Sequence, residues 1–357
     1  MTSQQRPEFR PPTIPLVVEA SRGRPLIIPG GRAEQLLTAG GDGRPAYSLL
    51  PVRRGWVALI PQGLDRFALL AATHLARAVA VSRSTPSSQA LSRYTAALLH
   101  GIRTWGVPDR PELCGPTRRR QGVHLDHVRH VAALPEEDVV HLEGLPVTSP
   151  HRTVLDIVRS AHPRDALVTA DDLLRVAGGF DRYHRPETER AAELARDQLL
   201  GLVDELPAGA RGRRRAITAL TWASPWAESH WESHTRWVVL RWGRRDVIAQ
   251  CPVETAIGTF FTDLAIPDGK RRDGSTRYLH VEFDGGDKYT HADPRERSLE
   301  RIAERDRQRA IEALGDTMIR LDAKDAARPE VVVARIESEL RGPRPRLRPV
   351  RELGEQR

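Results

Sequence analysis

The last third of the chain changes its hydrophobic period in a definite order, and that order leaves few folds open. Residues 224–240 carry Pro225 near the start and Trp231, Trp237, Val238 and Leu240 at helical spacing, which predicts a helix. Residues 246–253, 259–266 and 277–285 read as strands. Glu254 to Gly258 joins the first two, and the Asp-, Gly- and Arg-rich residues 267–276 join the second and third. A charged helix is predicted over 294–314, a strand over 317–321 and a final helix over 329–340. The order α-β-β-β-α-β-α implies an antiparallel three-strand meander, with a fourth strand reached across a helix.

Acidic residues interrupt those apolar strands. Asp263 sits among Phe260, Phe261, Leu264 and Ile266, and Glu282 and Asp284 occupy i and i+2 on the third strand. Residues two apart on a strand share a face. A carboxylate among apolar neighbours is costly unless it is paired or binds a cation. Carboxylates on adjoining strands repel one another, and a divalent ion removes that repulsion. Carboxylate and water oxygens suit Mg²⁺ or Mn²⁺, which can polarise a phosphoryl oxygen and acidify a bound water. The preceding helix adds Glu228, Glu232 and Arg236 at four-residue spacing, on one face.

Composition sets the partner class. The formal net charge of the 357 residues is +8, and the basic residues are almost all arginine; the lysines are Lys270, Lys288 and Lys324. A basic surface favours polyanionic partners such as DNA through phosphate neutralisation and counterion release. Cys114 and Cys251 lie far apart in sequence, with no zinc-type spacing, and read as reduced thiols. Neither a long apolar run nor a signal-like start is present, so the expected location is cytoplasmic, with no membrane contact. The sequence has no Gly-rich phosphate loop, nucleophile elbow or His-rich metal motif, so no small-molecule cofactor is expected.

The rest of the chain reads as mixed α/β. Residues 1–20 are Pro-rich and expected to be disordered. Residues 21–63 form a small unit with a helical stretch at 33–39 and a basic turn-and-strand segment ending near Pro61, the layout of a winged helix. Residues 64–206 are mostly helical with a small sheet at 107–150; the helices are expected near 67–81, 90–100, from Pro150, at 163–177 and at 187–206. Residues 207–221 form a basic linker containing Arg211, Arg213, Arg214 and Arg215, and 341–357 a basic, Pro-rich, disordered tail. The fold class is therefore α/β (α+β) multidomain, with its most definite unit at 222–340.

Several motifs carry a resemblance. Glu232-Ser233-His234-Thr235-Arg236, Asp263-Leu264-Ala265, Val281-Glu282-Phe283-Asp284-Gly285, Ala313-Leu314-Gly315 and Arg320-Leu321 together resemble the very-short-patch-repair-like endonucleases of the PD-(D/E)XK superfamily. That resemblance implies a Mg²⁺- or Mn²⁺-dependent endonuclease. Asp263, Glu282 and Asp284 would hold the metal, and Glu232 would be catalytic beside them. Asp284 stands where the superfamily's lysine usually sits, leaving the charge-stabilising role to Lys288, His291 or Arg305. Arg211, Arg213, Arg214, Arg215, Arg236, Arg301, Arg305 and Arg309 are the expected nucleic-acid contacts, holding the backbone without reading sequence. The segments Arg54-Gly55-Trp56, Ser92 to Ala97, Leu99-His100-Gly101 and Pro146 to Asp156 resemble a degenerate abortive-infection (AbiEi-type) antitoxin module. The competing expectation is a non-catalytic DNA-binding regulator that keeps the nuclease fold as a scaffold.

Overall fold

The computed structural model describes residues 14–19, 47–85, 88–116, 122–284, 294–343 and 346–354; for 16–19 and 294–301 the description is of the backbone alone. It is a mixed α/β structure with three sheets. The described residues divide into two compact units, one before residue 158 and one from residue 158 on.

In the first unit, β1 (Leu16–Glu19), β2 (Tyr47–Arg53) and β3 (Trp56–Pro61) form an antiparallel sheet in the order β1-β3-β2. Gly55 makes the tight turn of the β2–β3 hairpin at φ 81°, a conformation that costs glycine little. The chain start expected to be disordered thus supplies a strand. The helical stretch expected at 33–39 lies outside the described residues, as do 1–13 and 20–46 generally.

Helix α1 (Arg66–Arg83) starts where the Asp65 side chain accepts the Ala68 N–H at 2.8 Å. A strand, β4 (Ala90–Leu91), occupies what reads in sequence as the first turn of the next helix, so α2 spans Arg93–His100. The second sheet adds β5 (Glu112–Gly115), β6 (Gly122–Val123), β7 (Val128–Val131), β8 (Val139–Leu142) and β9 (Leu145–Thr148), in the order β6-β7-β5-β4-β9-β8. Leu75, Val79, Leu91, Leu99, Leu113 and Val147 fill the core. Helix α3 (Pro150–Ser160) opens on its proline, as the sequence predicts. Its Arg152 ties Asp138, Asp156 and the Ala133 carbonyl together, so the Pro146–Asp156 motif works here as a structural clamp.

The second unit begins with α4 (Pro163–Ala177), α5 (Arg185–Asp204) and α6 (Arg213–Trp222), followed by α7 (His230–Trp242). The expected boundary near residue 206 is displaced: α4 packs on α7 and its Leu167 joins the core of the C-terminal sheet, while α5 packs on α4 and α6. A buried ion pair helps decide this, because Asp171 of α4 binds Arg236 of α7 through both carboxylate oxygens at 2.6 and 2.7 Å.

The third sheet has the order β10-β11-β12-β13, from β10 (Ile248–Thr255), β11 (Gly258–Lys270), β12 (Thr276–Phe283) and β13 (Thr317–Leu321). The first three are antiparallel; β13 joins β12 in parallel after α8 (Pro294–Glu312). A short α9 (Ala323–Ala326) and α10 (Pro329–Glu339) follow. Residues 267–270, expected in a loop, prolong β11 through an irregularity in the ladder.

Alternation along the strands separates two faces. Leu264, Ile266, Leu279, Val281, Ile319 and Leu321 pack with Val238, Leu240, Val332 and Ile336 of α7 and α10. On the other face, Val253 and Met318 pack with Ile311 of α8. The tail is docked rather than disordered over 346–354: Val350 N–H bonds the Leu240 carbonyl, the Leu353 carbonyl accepts Trp237 Nε1–H at 2.9 Å, and both apolar side chains are buried. Burial of each is worth about 1.5–3 kcal/mol. At Gly243 (φ 122°) a Cβ would lie 2.8 Å from the Arg348 nitrogen, so glycine is what lets the tail pass. Among the described residues no helix is long and apolar enough to cross a membrane.

Candidate active site

Helix α7 begins at His230 rather than at Ser224, and this places Glu232 in its first turn. Ser229 caps the helix by accepting the Glu232 N–H at 3.1 Å, and the Glu232 carboxylate reaches back to the Glu228 N–H at 2.9 Å. The pattern is a capping box shifted by one residue. Glu228 itself lies before the helix and pairs with Arg182. The Glu232 carboxylate also takes a bond from Gln250 Nε2 at 3.2 Å, within a pocket that leaves Glu232 8% exposed. Burial, and then the negative charge of Asp263, push its pKa from 4.5 to about 8. Glu232 and Asp263 therefore share one electrostatic neighbourhood although they come from a helix and a strand.

Regular pairing of β11 with β12 runs as far as Leu264↔Val281. One step further, where Asp263 comes level with Glu282, the Asp263 side chain accepts the Phe283 N–H at 2.8 Å. A carboxylate thus takes over a ladder bond beside Glu282. The Phe283 ring stacks on Trp231 of α7, 5.1 Å between centroids. Glu282 is buried, 7% exposed, and accepts a charge-assisted bond from Arg307 of α8, which also donates to the Phe261 carbonyl. By register Glu282 lies beside Arg320 of β13. Arg320 pairs with Glu304; burial opposes its charge, but Glu304, Glu282 and Asp284 outweigh that and raise its pKa. Asp284 is half-buried just past β12, with its N–H on the Leu321 carbonyl.

A third strand completes the neighbourhood. Ala249↔Leu264 and Cys251↔Thr262 are regular pairs, so the position between them, Gln250, comes level with Asp263. Gln250 adopts φ 45°, a left-handed conformation that costs a non-glycine residue about 1–3 kcal/mol and gathers at functional sites. It is 2% exposed, and its Oε1 has no hydrogen-bond partner among the described residues.

Among the described residues no group of three or more His, Cys, Asp or Glu side chains is arranged to hold a metal ion. The donor chemistry nevertheless fits a hard cation. Asp263 and Glu282 offer carboxylate oxygens, Glu232 is coupled electrostatically to Asp263, and the unmatched Gln250 oxygen lies in the same neighbourhood.

The other expected site residues divide. Arg236 is a correction: it is 5% exposed, bound to Asp171 and the Trp222 carbonyl, and cannot reach a phosphate. Arg213 pairs with Asp204 and donates to the Leu206 carbonyl. Arg211 and Arg214 are exposed at the turn into α6 and Arg215 is half-buried. Arg305 and Arg309 are exposed on α8, with Asp306 3.9 Å from Arg309. Lys288 and His291 lie outside the described residues, as does the side chain of Arg301. Sequence reasoning missed Arg307, Arg320 and Gln250 as members of the site. Arg320 was legible as part of Arg320-Leu321, but its charge partners depend on strand register.

Other acids among the strands prove to be structural. Asp268 binds Arg277 and the Arg341 and Gly342 N–H groups; Asp316 binds His280, Arg271 and the Tyr278 N–H. Cys114 and Cys251 are buried and unbridged.

No family profile and no curated protein matches the chain. A solved structure that it resembles is the crystal structure of the RV2827C protein from Mycobacterium tuberculosis, at 17% identity and a TM-score of 0.27. The match covers 49% of this chain and 65% of that one, and a likeness this weak supports no argument.

Proposed function

We propose that residues 158–354 form a divalent-metal-dependent endonuclease of the PD-(D/E)XK kind that hydrolyses DNA phosphodiester bonds. The observation that carries the reading is the coupling of buried Glu232 to Asp263, with Asp263 bound to the backbone N–H next to Glu282. The element order α-β-β-β-α-β, with its parallel last strand, supports it. Asp263 and Glu282 would hold Mg²⁺ or Mn²⁺, with Asp284 close by. When bound, the cation polarises a phosphoryl oxygen and makes a water nucleophilic near neutral pH. Glu232, whose carboxyl titrates near pH 8, can hold or take up a proton beside that centre. Arg307 or Arg320 can supply the positive charge that the missing motif lysine would give, since both lie against the acids. Exposed Arg305 and Arg309 suit backbone phosphates.

The test is incubation of purified protein with several DNA forms, with and without Mg²⁺ or Mn²⁺. Cleavage that requires the ion is expected, and Asp263→Ala should lower it by about 10²–10³-fold with DNA binding nearly unchanged. Cleavage by the variant at the parental rate refutes the assignment. A non-catalytic DNA-binding regulator is the second reading. It is favoured by the Arg307–Glu282 pair, which already neutralises one expected metal ligand, and by Asp284 at the lysine position. DNA binding with no cleavage under any ion decides for it.

A further inference from the structure

Gln250 combines three observations that packing alone leaves unexplained. Its backbone turns to φ 45° in the middle of a strand whose neighbours on both sides keep their ladder pairs. Its main-chain carbonyl is held by Arg185 Nη1 at 2.8 Å, which fixes the residue in place from α5. Gln250 is 2% exposed, donates Nε2–H to Glu232 at 3.2 Å, and leaves Oε1 buried without a partner among the described residues. While Glu232 is ionised, charge favours this orientation of the amide, since reversing it would set two acceptor oxygens against each other. A buried carbonyl oxygen left unmatched forfeits the hydrogen bond it would have in water, so such atoms are rare and call for a missing donor. Water is a donor of the right size, and a divalent cation of the Mg²⁺ type keeps several waters when it binds protein.

We propose that Gln250 is a positioning residue for a hydrated divalent cation: its amide nitrogen holds the Glu232 carboxylate, and its Oε1 accepts a hydrogen bond from a water on the ion held near Asp263. The inference rests on the metal site of the function proposed above and adds a residue that no motif supplied. Partners of this outer kind orient the groups that touch a metal, and their loss typically weakens binding 10–100-fold.

The experiment measures Mn²⁺ binding to the full chain by calorimetry and by the electron paramagnetic resonance signal of free Mn²⁺, so it does not depend on cleavage. Parent, Gln250→Met and Gln250→Glu are compared, with thermal melting as the check on folding. Gln250→Met keeps the length and loses both polar atoms; its Mn²⁺ affinity should fall at least about tenfold. Gln250→Glu keeps an oxygen where Oε1 lies but gives up the donor to Glu232; it should bind Mn²⁺ at least as tightly as the parent. Parental affinity in Gln250→Met overturns the proposal. Equal losses in both variants also overturn it, because they mean that Gln250 only props Glu232. Absence of Mn²⁺ binding by the parent overturns the metal-dependent function and this inference together.

Discussion

Asp171 and Glu232 are both helix-borne carboxylates buried within the same unit, and their surroundings differ in kind. Asp171 is 1% exposed; both its oxygens accept from Nη2 of Arg236, and one also accepts the Ser224 N–H at 2.8 Å. Glu232 is held by two N–H donors and faces the charge of a second acid, Asp263. The first arrangement joins α4 to α7 and serves the fold. The second sets two acids side by side, so that ionising both opposes folding and suits a cation. Burial of an acid is thus no guide to its role; the sign of what surrounds it is.

The contrast can be broken most forcefully at Asp171. Asp171→Ala leaves Arg236 buried without its counter-charge, and breaking a buried pair in this way costs about 3–5 kcal/mol. Chemical denaturation should show that loss, and an unchanged midpoint would remove the distinction between the two centres.

The pH dependence at Glu232 sharpens the contrast. Its pKa is about 8 in the folded chain against 4.5 ordinarily, so between those values the folded state binds more protons than the unfolded one. Stability from this group is therefore complete below about pH 4.5, declines as pH rises, and is lost above about pH 8, an effect on the order of a few kcal/mol. Glu232→Gln should flatten that decline and make the metal-free protein more stable than the parent at pH 8. Melting curves from pH 5 to 8.5 decide it; parallel pH dependence in the two proteins contradicts the raised pKa of Glu232. Saturating Mn²⁺ should flatten the parent's decline too.

The smallest effect is expected at the exposed arginines, where no buried charge is at stake. Removing Arg305 or Arg309 should weaken DNA binding evenly across sequences and reduce the slope of log K against log salt by about 0.9 for each phosphate no longer neutralised. An unchanged slope in the double variant excludes this stripe of α8 from the DNA-binding surface.

Much of the second unit is legible in the sequence. The helix at 230–242, the three-strand meander, the charged helix and the strand at 317–321 follow from apolar spacing, with Pro and Gly marking the breaks. Asp263 and Glu282 stood out because each interrupts an apolar strand. Arg307 did not, since it lies on a helix crowded with arginines, and only the rotation of α8 over the sheet selects it for Glu282. Gln250 was equally silent, for glutamine in a strand has no distinguishing pattern until its oxygen is found buried. Arg236 misled for the same reason: its spacing from Glu232 suggested a shared surface, and its actual partner lies 65 residues earlier in the chain.

Alone, the sequence determined the local elements of the second unit and the chemistry available to them, because helical and strand periods are set by backbone hydrogen bonding between near neighbours. Tertiary structure decided which charges meet: Arg236 with Asp171, Arg307 with Glu282, Gln250 with Glu232, and the tail with α7. Those meetings depend on strand register and helix rotation, which emerge from packing between distant segments, and no local pattern encodes them.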